Sequence, residues 1–296
     1  MAIERKRLWP TGDSLPVGRV VLRNAGNRKA LRYYLYLPRD PRPDLPLFIA
    51  VHGISINARA QARLFAPWAE AVGAVLVAPQ FEPEIFGDYQ RLGRPGLGER
   101  ADLAFNAMLT DIEGQLQRAA APVCLFGFSG GAQFVHRYTM AWPERVHRQV
   151  LVAPGWFTFP DRRQRYPWGI ARLDGLQDLK PDPRRFLRVP VRVMVGEKDR
   201  LRDASLRQSG RVDRRQGQTR IERARRWVAA MRREAWALGL ETPIEFMLLE
   251  GCRHDFEQCM RTGGLGEKTF DFLYGDEVAL IGAASPVRDR RGDEKQ

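Results

Sequence analysis

"CLFGFSGGAQ" (residues 124–133) sets one serine among glycines at the point where an apolar run stops and a helical pattern begins. Gly127, Phe128, Ser129, Gly130 and Gly131 match G-x-S-x-G, a pattern in which the chain turns sharply from strand to helix and lifts the serine hydroxyl out of the fold. Glycine-flanked serines also occur in ordinary turns, so the pentapeptide gains meaning from its flanks. "PVCLFGFS" is a continuous apolar run of the kind that forms a strand buried on both faces, and "GGAQFVHRYTMAW" opens a helix. Glycine suits positions 127 and 131 because the elbow brings helix and strand too close for side chains. The helix N-terminus leaves amide donors free, and the Gly130 N–H points to where an oxyanion would develop.

Outward from the elbow, the same short apolar runs recur in "LPLFIAVHG", "AVLVAPQF", "QVLVAPGW", "VPVRVMVGE" and "IEFMLLEGC". Amphipathic stretches separate most of them: "ARAQARLFAPWAEAVG", "ERADLAFNAMLTDIEGQLQRA", "GAQFVHRYTMAWPERV" and "TRIERARRWVAAMRREAWALG". Strands alternating with helices imply an α/β fold with a mostly parallel central sheet covered by helices on both faces. Upstream, "GRVVLRN" and "ALRYYLYLP" predict an antiparallel strand pair, the second alternating Leu31, Tyr33, Leu35 and Leu37 with Arg32, Tyr34 and Tyr36. The expected organisation is a single domain over residues 1–285, with a lid-like segment at about 157–188 and a second irregular insertion at about 200–217. Residues 286–296 lack anything to bury and are expected to form a disordered tail.

A serine hydroxyl needs a base. Of the four histidines, His136 is carried away from the hydroxyl by the helix after Ser129, and His147 lies just beyond that helix. His52 follows "LFIAV", where a second oxyanion donor is expected. His254, in the loop "GCRHDF" after the last strongly apolar run, is the expected base. An acid must hold the imidazole in the useful tautomer, and "VPVRVMVGEKDR" delivers Asp199 at a strand end. Glu197, Asp203 and Asp255 are the competing carboxylates; Asp255 suits a helix cap at Phe256 better than a bond to its own neighbour. The chain order Ser129, Asp199, His254 is the one expected when successive parallel strands deliver three groups to one sheet edge.

With these elements in place, the sequence resembles the α/β-hydrolase superfamily. "ALRYYLYLP", "LPLFIAVHG", "GFSGG", "VGEKD" and "GCRHDF" are similar to bacterial esterases grouped with poly(3-hydroxybutyrate) depolymerases, feruloyl esterases and dienelactone hydrolases, over residues 18–282 at the level of element order. The resemblance implies Ser129 as nucleophile, His254 as base, Asp199 as acid, and the backbone amides of Ile54 and Gly130 as oxyanion hole. "HGISIN" departs from the HGGG pattern of some lipases and esterases.

The expected reaction is hydrolysis of a small-molecule carboxylic ester through an acyl-enzyme. Trp156, Phe157, Phe159 and Trp168 in the lid-like segment are candidates for an aromatic substrate pocket, and Arg162, Arg163 and Arg165 for recognition of an anionic substrate. A peptidase or thioesterase would use the same triad. A non-catalytic binding protein using an Arg-rich surface is the alternative of another class. No cofactor or metal is expected, since the sequence has no H-E-x-x-H, paired-Cys or G-x-G-x-x-G pattern. The formal charge of +13 comes from arginine without interleaved aromatics, so no nucleic-acid partner is expected. No apolar run approaches a membrane span and no export signal opens the chain, which makes the cytoplasm the expected location and free thiols the expected state of Cys124, Cys252 and Cys259.

Overall fold

The computed structural model describes residues 15, 17–26, 31–172 and 175–275. The expected tail at 286–296 lies outside them. Every apolar run quoted above forms a strand: β1 (Val21–Asn24), β2 (Arg32–Tyr36), β3 (Phe48–Val51), β4 (Leu76–Gln80), β5 (Val123–Phe128), β6 (Val146–Val152), β7 (Val191–Gly196) and β8 (Ile244–Leu249). They join in one sheet of order β1-β2-β4-β3-β5-β6-β7-β8. β1 and β2 are antiparallel to each other, β2 is antiparallel to β4, and the strands from β3 to β8 pair in parallel. Parallel strands buried on both faces explain the unbroken apolar runs. In β2 the alternation is visible, with Tyr33 and Leu35 buried and Arg32 exposed.

The four amphipathic stretches form α1 (Ala58–Val72), α2 (Ala101–Gln115), α3 (Gly130–Ala141) and α6 (Arg220–Ala237). Four helices were not expected from periodicity: α4 (Pro183–Phe186), α5 (Gly210–Gln216), α7 (Phe256–Thr262) and α8 (Leu265–Tyr274). Neighbouring residues of β5 mark the two layers, because successive strand side chains point to opposite faces. Phe126 packs edge-on against Phe65 of α1 at 4.8 Å, and Phe65 and Phe48 both meet Phe270 of α8. Gly127, on the other face, abuts the start of α3. Tyr36 is covered, although its side of β2 is wetter, because its hydroxyl donates to Glu70 of α1 at 2.5 Å.

The lid-like segment is irregular apart from α4, but much of it is packed rather than loose. Phe157 stacks on Trp227 of α6 at 4.8 Å, and Ile170 and Leu176 are buried. The 200–217 insertion contains α5, whose start is fixed by Ser209 accepting from the Val212 amide at 3.3 Å. Among the described residues, no helix is long and apolar enough to cross a membrane.

Candidate active site

Ser129 sits between β5 and α3 with φ 53° and ψ −111°, a conformation that costs energy for any residue other than glycine. The surroundings enforce it. A Cβ on Gly131 would stand 2.1 Å from the Val51 carbonyl oxygen, and one on Gly127 would stand 2.5 Å from the Gly131 carbonyl. Ser129 N–H also donates to the Val152 carbonyl of β6 at 2.7 Å, so both neighbouring strands hold the turn.

The loops after β7 and β8 meet beside this elbow. Gly196, the last residue of β7, has no room for a side chain because the Cys252 carbonyl oxygen would lie 2.4 Å from its Cβ. That contact brings Asp199 and His254 together. His254 Nδ1 donates to Asp199 Oδ2 at 2.8 Å, and the Ser129 hydroxyl donates to His254 Nε2 at 3.1 Å. The tautomer follows from the carboxylate: a proton held on Nδ1 leaves Nε2 free to accept. The competing carboxylates are engaged elsewhere. Glu197 accepts from the Gly251 amide at 3.0 Å, Asp203 from the Ser205 amide and hydroxyl at 2.9 and 2.6 Å, and Asp255 caps α7 through the Gln258 amide at 2.9 Å.

Sequence reading missed Arg220. Its Nη1 donates to the second oxygen of Asp199 at 2.9 Å and its Nη2 to the Ser205 hydroxyl at 2.6 Å, with both charged side chains almost wholly enclosed. Ser129, His254, Asp199 and Arg220 thus form one hydrogen-bonded row. One turn on, buried Arg223 donates to the Gly155 and Gly217 carbonyls and to Asp213. A signal was present. Positions 220 and 223 fall on the buried stripe that continues through Ala224, Trp227, Met231 and Ala235, so these arginines face inward at helical spacing.

His52 fixes the loop after β3. Its Nε2 accepts from the Phe81 amide at 2.9 Å and its Nδ1 donates to the Gly53 carbonyl at 2.6 Å. Burial lowers its pKa to about 4, so the ring is neutral and structural. The Ile56 amide closes a turn on the Gly53 carbonyl at 3.2 Å, with Ile54 inside that turn sequence. Gly130 is the first residue of α3 and has no intrahelical acceptor for its amide. The two residues adjoin: Ile54 Cγ2 would lie 3.2 Å from a Gly130 Cβ, which Tyr89 and Gln90 also exclude. His136 is likewise structural, with Nδ1 on the Ala132 carbonyl and Nε2 accepting from Thr158, and burial drives its pKa well down.

The cleft over Ser129 encloses about 670 Å³, within the size range of small-molecule sites, and is lined by Gly53, Ile54, Phe128, Ser205, His254 and Phe256 among others. None of Trp156, Phe157, Phe159 and Trp168, the candidates for an aromatic substrate pocket, lines this cleft. Phe157 belongs to the core on Trp227, Trp156 is buried against Trp168 at 4.9 Å, and Phe159 and Trp168 border a separate hollow of about 630 Å³. Arg162 and Arg163 border that hollow too, away from the serine. Cys124, Cys252 and Cys259 are free and buried.

No model of a known protein family and no curated protein matches the chain. Solved structures do: the fold is that of the α/β-hydrolases. Poly(aspartic acid) hydrolase-1 from Sphingomonas sp. KT-1 superposes with a TM-score of 0.71 at 20% identity, over 88% of this chain and 99% of that one. LpqC, a poly(3-hydroxybutyrate) depolymerase from Bordetella parapertussis, gives 0.69 at 23% identity over 89% and 94%. FphF, a fluorophosphonate-binding serine hydrolase of Staphylococcus aureus, gives 0.54 at 12% identity over 87% and 99%.

Proposed function

We propose that the protein is a serine hydrolase that cleaves a carboxylic ester through an acyl-enzyme. The observation that carries this reading is the hydrogen-bonded row from Ser129 through His254 to Asp199. Ser129 Oγ attacks the carbonyl carbon while His254 Nε2 takes the hydroxyl proton. Asp199 keeps the ring oriented and stabilises the imidazolium, and Arg220 keeps Asp199 in place. The amides of Gly130 and Ile54 hold the tetrahedral oxyanion. His254 then protonates the departing alkoxide, and water, activated by the same imidazole, releases the acid and restores Ser129.

A fluorophosphonate should label the protein and leave Ser129→Ala unlabelled, with p-nitrophenyl ester turnover lost in the same variant. Labelling that survives the substitution would remove Ser129 from the mechanism. Amide and acyl-CoA substrates, run beside the ester, separate esterase from peptidase and thioesterase. Salt-dependent nucleic-acid binding without any turnover would instead favour a binding protein on this scaffold.

A further inference from the structure

The surroundings of Ser129 are electrically lopsided. The cleft itself is lined by three carboxylates, Asp203, Asp255 and Glu257, and by one guanidinium, Arg261, which is already paired with Glu257 at 2.8 Å. Past the Ser205 wall the sign reverses. The Ser205 carbonyl lies 3.8 Å from where a Gly155 Cβ would stand, and Gln133 Nε2 lies 3.3 Å from the same point, so this wall adjoins Trp156 on one side and α3 on the other. Arg137 follows Ser129 by eight residues along α3, about 12 Å at 1.5 Å per residue.

Arg137 is 1% exposed, its Nη1 donates to the Gln90 carbonyl at 2.6 Å, and its Nη2 has no partner among the described residues. Its guanidinium lies 4.4 Å over the Trp156 ring. Arg207, two residues beyond Ser205, stacks on the same ring at 5.1 Å and on Trp168 at 5.7 Å, and is exposed. Arg91, next to the Gln90 carbonyl that Arg137 contacts, and Arg94 both pair with Asp88, at 2.6 and 2.5 Å. Burial lowers the pKa of Arg207, and the Arg91 and Arg94 guanidiniums act in the same direction. Burial also lowers Arg137 to about 10. Among the described residues, Arg137, Arg207 and Arg211 thus lie over the Trp156–Trp168 pair, and Arg91 and Arg94 meet on Asp88. Three other buried or half-buried arginines meet carboxylates directly: Arg100 meets Asp102 and Asp178, Arg220 meets Asp199, and Arg223 meets Asp213. A half-enclosed excess of positive charge is costly unless an anion completes it, and a guanidinium held flat on indole presents its donor edge to a carboxylate.

We propose that Arg207 on its tryptophan platform, with Arg91 and Arg94, is the subsite for a carboxylate carried by the substrate, so that the preferred ester bears an acidic group in the part that reaches past Ser205. This rests on the serine-hydrolase reading above. The three carboxylates on the cleft lining disfavour a substrate carboxylate beside them.

The test compares p-nitrophenyl hemisuberate with p-nitrophenyl octanoate, which share a chain length and differ in the terminal carboxylate. The hemisuberate should have the higher kcat/KM at low salt, and that advantage should shrink at high salt. Arg207→Gln should lower kcat/KM for the hemisuberate by about tenfold or more, mainly through KM, and by several times less for the octanoate. Arg207→Lys, which keeps the charge but not the stacked fork, should fall between. Turnover of both esters with no preference, or an equal loss on both in Arg207→Gln, overturns the subsite and leaves the hydrolase reading standing. If neither ester is turned over, the hydrolase reading falls. Calorimetric titration of suberate then decides the subsite: binding weakened about tenfold in Arg207→Gln sustains it, and absent or unchanged binding overturns it.

Discussion

Replacing Arg220 with methionine removes the guanidinium from a pair in which the side chains are 0% and 1% exposed, while keeping a long apolar stem. Asp199 would then be a buried carboxylate supported by His254 alone. Breaking a buried pair by deleting one partner costs about 3–5 kcal/mol. At about 2–4 °C per kcal/mol for a domain of this size, the melting temperature should fall by roughly 6–20 °C. Asp199 also loses the anchor on its Oδ1, so the imidazole is held less well and kcat should drop on the order of 10²-fold. The informative comparison is the double variant Arg220→Met/Asp199→Asn, which removes both charges. Its stability should recover much of the loss, because a buried pair replaced as a unit is close to neutral. Its kcat should stay low, since Asp199→Asn alone costs up to about 10⁴-fold by leaving the base in the wrong tautomer. Thermal unfolding followed by circular dichroism, with p-nitrophenyl ester kinetics on the same samples, gives both quantities. Stability losses that simply add in the double variant would mean that Arg220 and Asp199 do not act as a pair.

Two glycines should behave oppositely. Gly131→Ala presses a methyl group into the Val51 and His52 carbonyls and should cost about 1–3 kcal/mol or abolish folding, whereas Gly114→Ala, with open space around it in α2, should stabilise by about 0.5–1 kcal/mol; melting temperatures of the two variants check both. Stability should also fall with acid through the buried histidines. His52 has its pKa lowered from 6.5 to about 4, so between those values the unfolded chain binds a proton that the native one does not. Stability is therefore full above pH 6.5 and declines towards pH 4 by on the order of 3 kcal/mol, with His136 acting in the same direction. Denaturant titrations at several pH values should show that slope weakened in His52→Gln.

The sheet was legible because its strands are buried on both faces, and unbroken runs such as Phe48–Val51 and Val191–Gly196 have no other comfortable place. The elbow was legible because close approach demands glycine on both sides of Ser129. Asp199 and His254 could be picked out by chain order and by their positions at strand ends. Arg220 was hidden by composition: in an arginine-rich helix a buried arginine looks like its solvated neighbours until its position on the apolar stripe is noticed. The lid aromatics could not be placed from the sequence for the converse reason. Phe157 and Trp156 are bulky residues in an irregular segment, and such residues serve a pocket or a satellite core equally well; here Trp227 and Trp168 claim them. The helices α7 and α8 escaped because they are short, and Asp255 was legible only as a cap.

Arg220 has one hand on the acid and the other on Ser205, whose backbone and hydroxyl belong to the wall of the cleft. On the proposed mechanism, rate and selectivity are therefore coupled through Arg220. A change in the 200–217 segment that reshapes the wall for a new substrate also shifts the guanidinium that steadies the acid, so substitutions there should be judged in combination rather than one at a time. Lineages that diversify this wall would have to carry compensating changes at the start of α6, and an engineer altering specificity would do well to vary Ser205 and Arg220 in the same library.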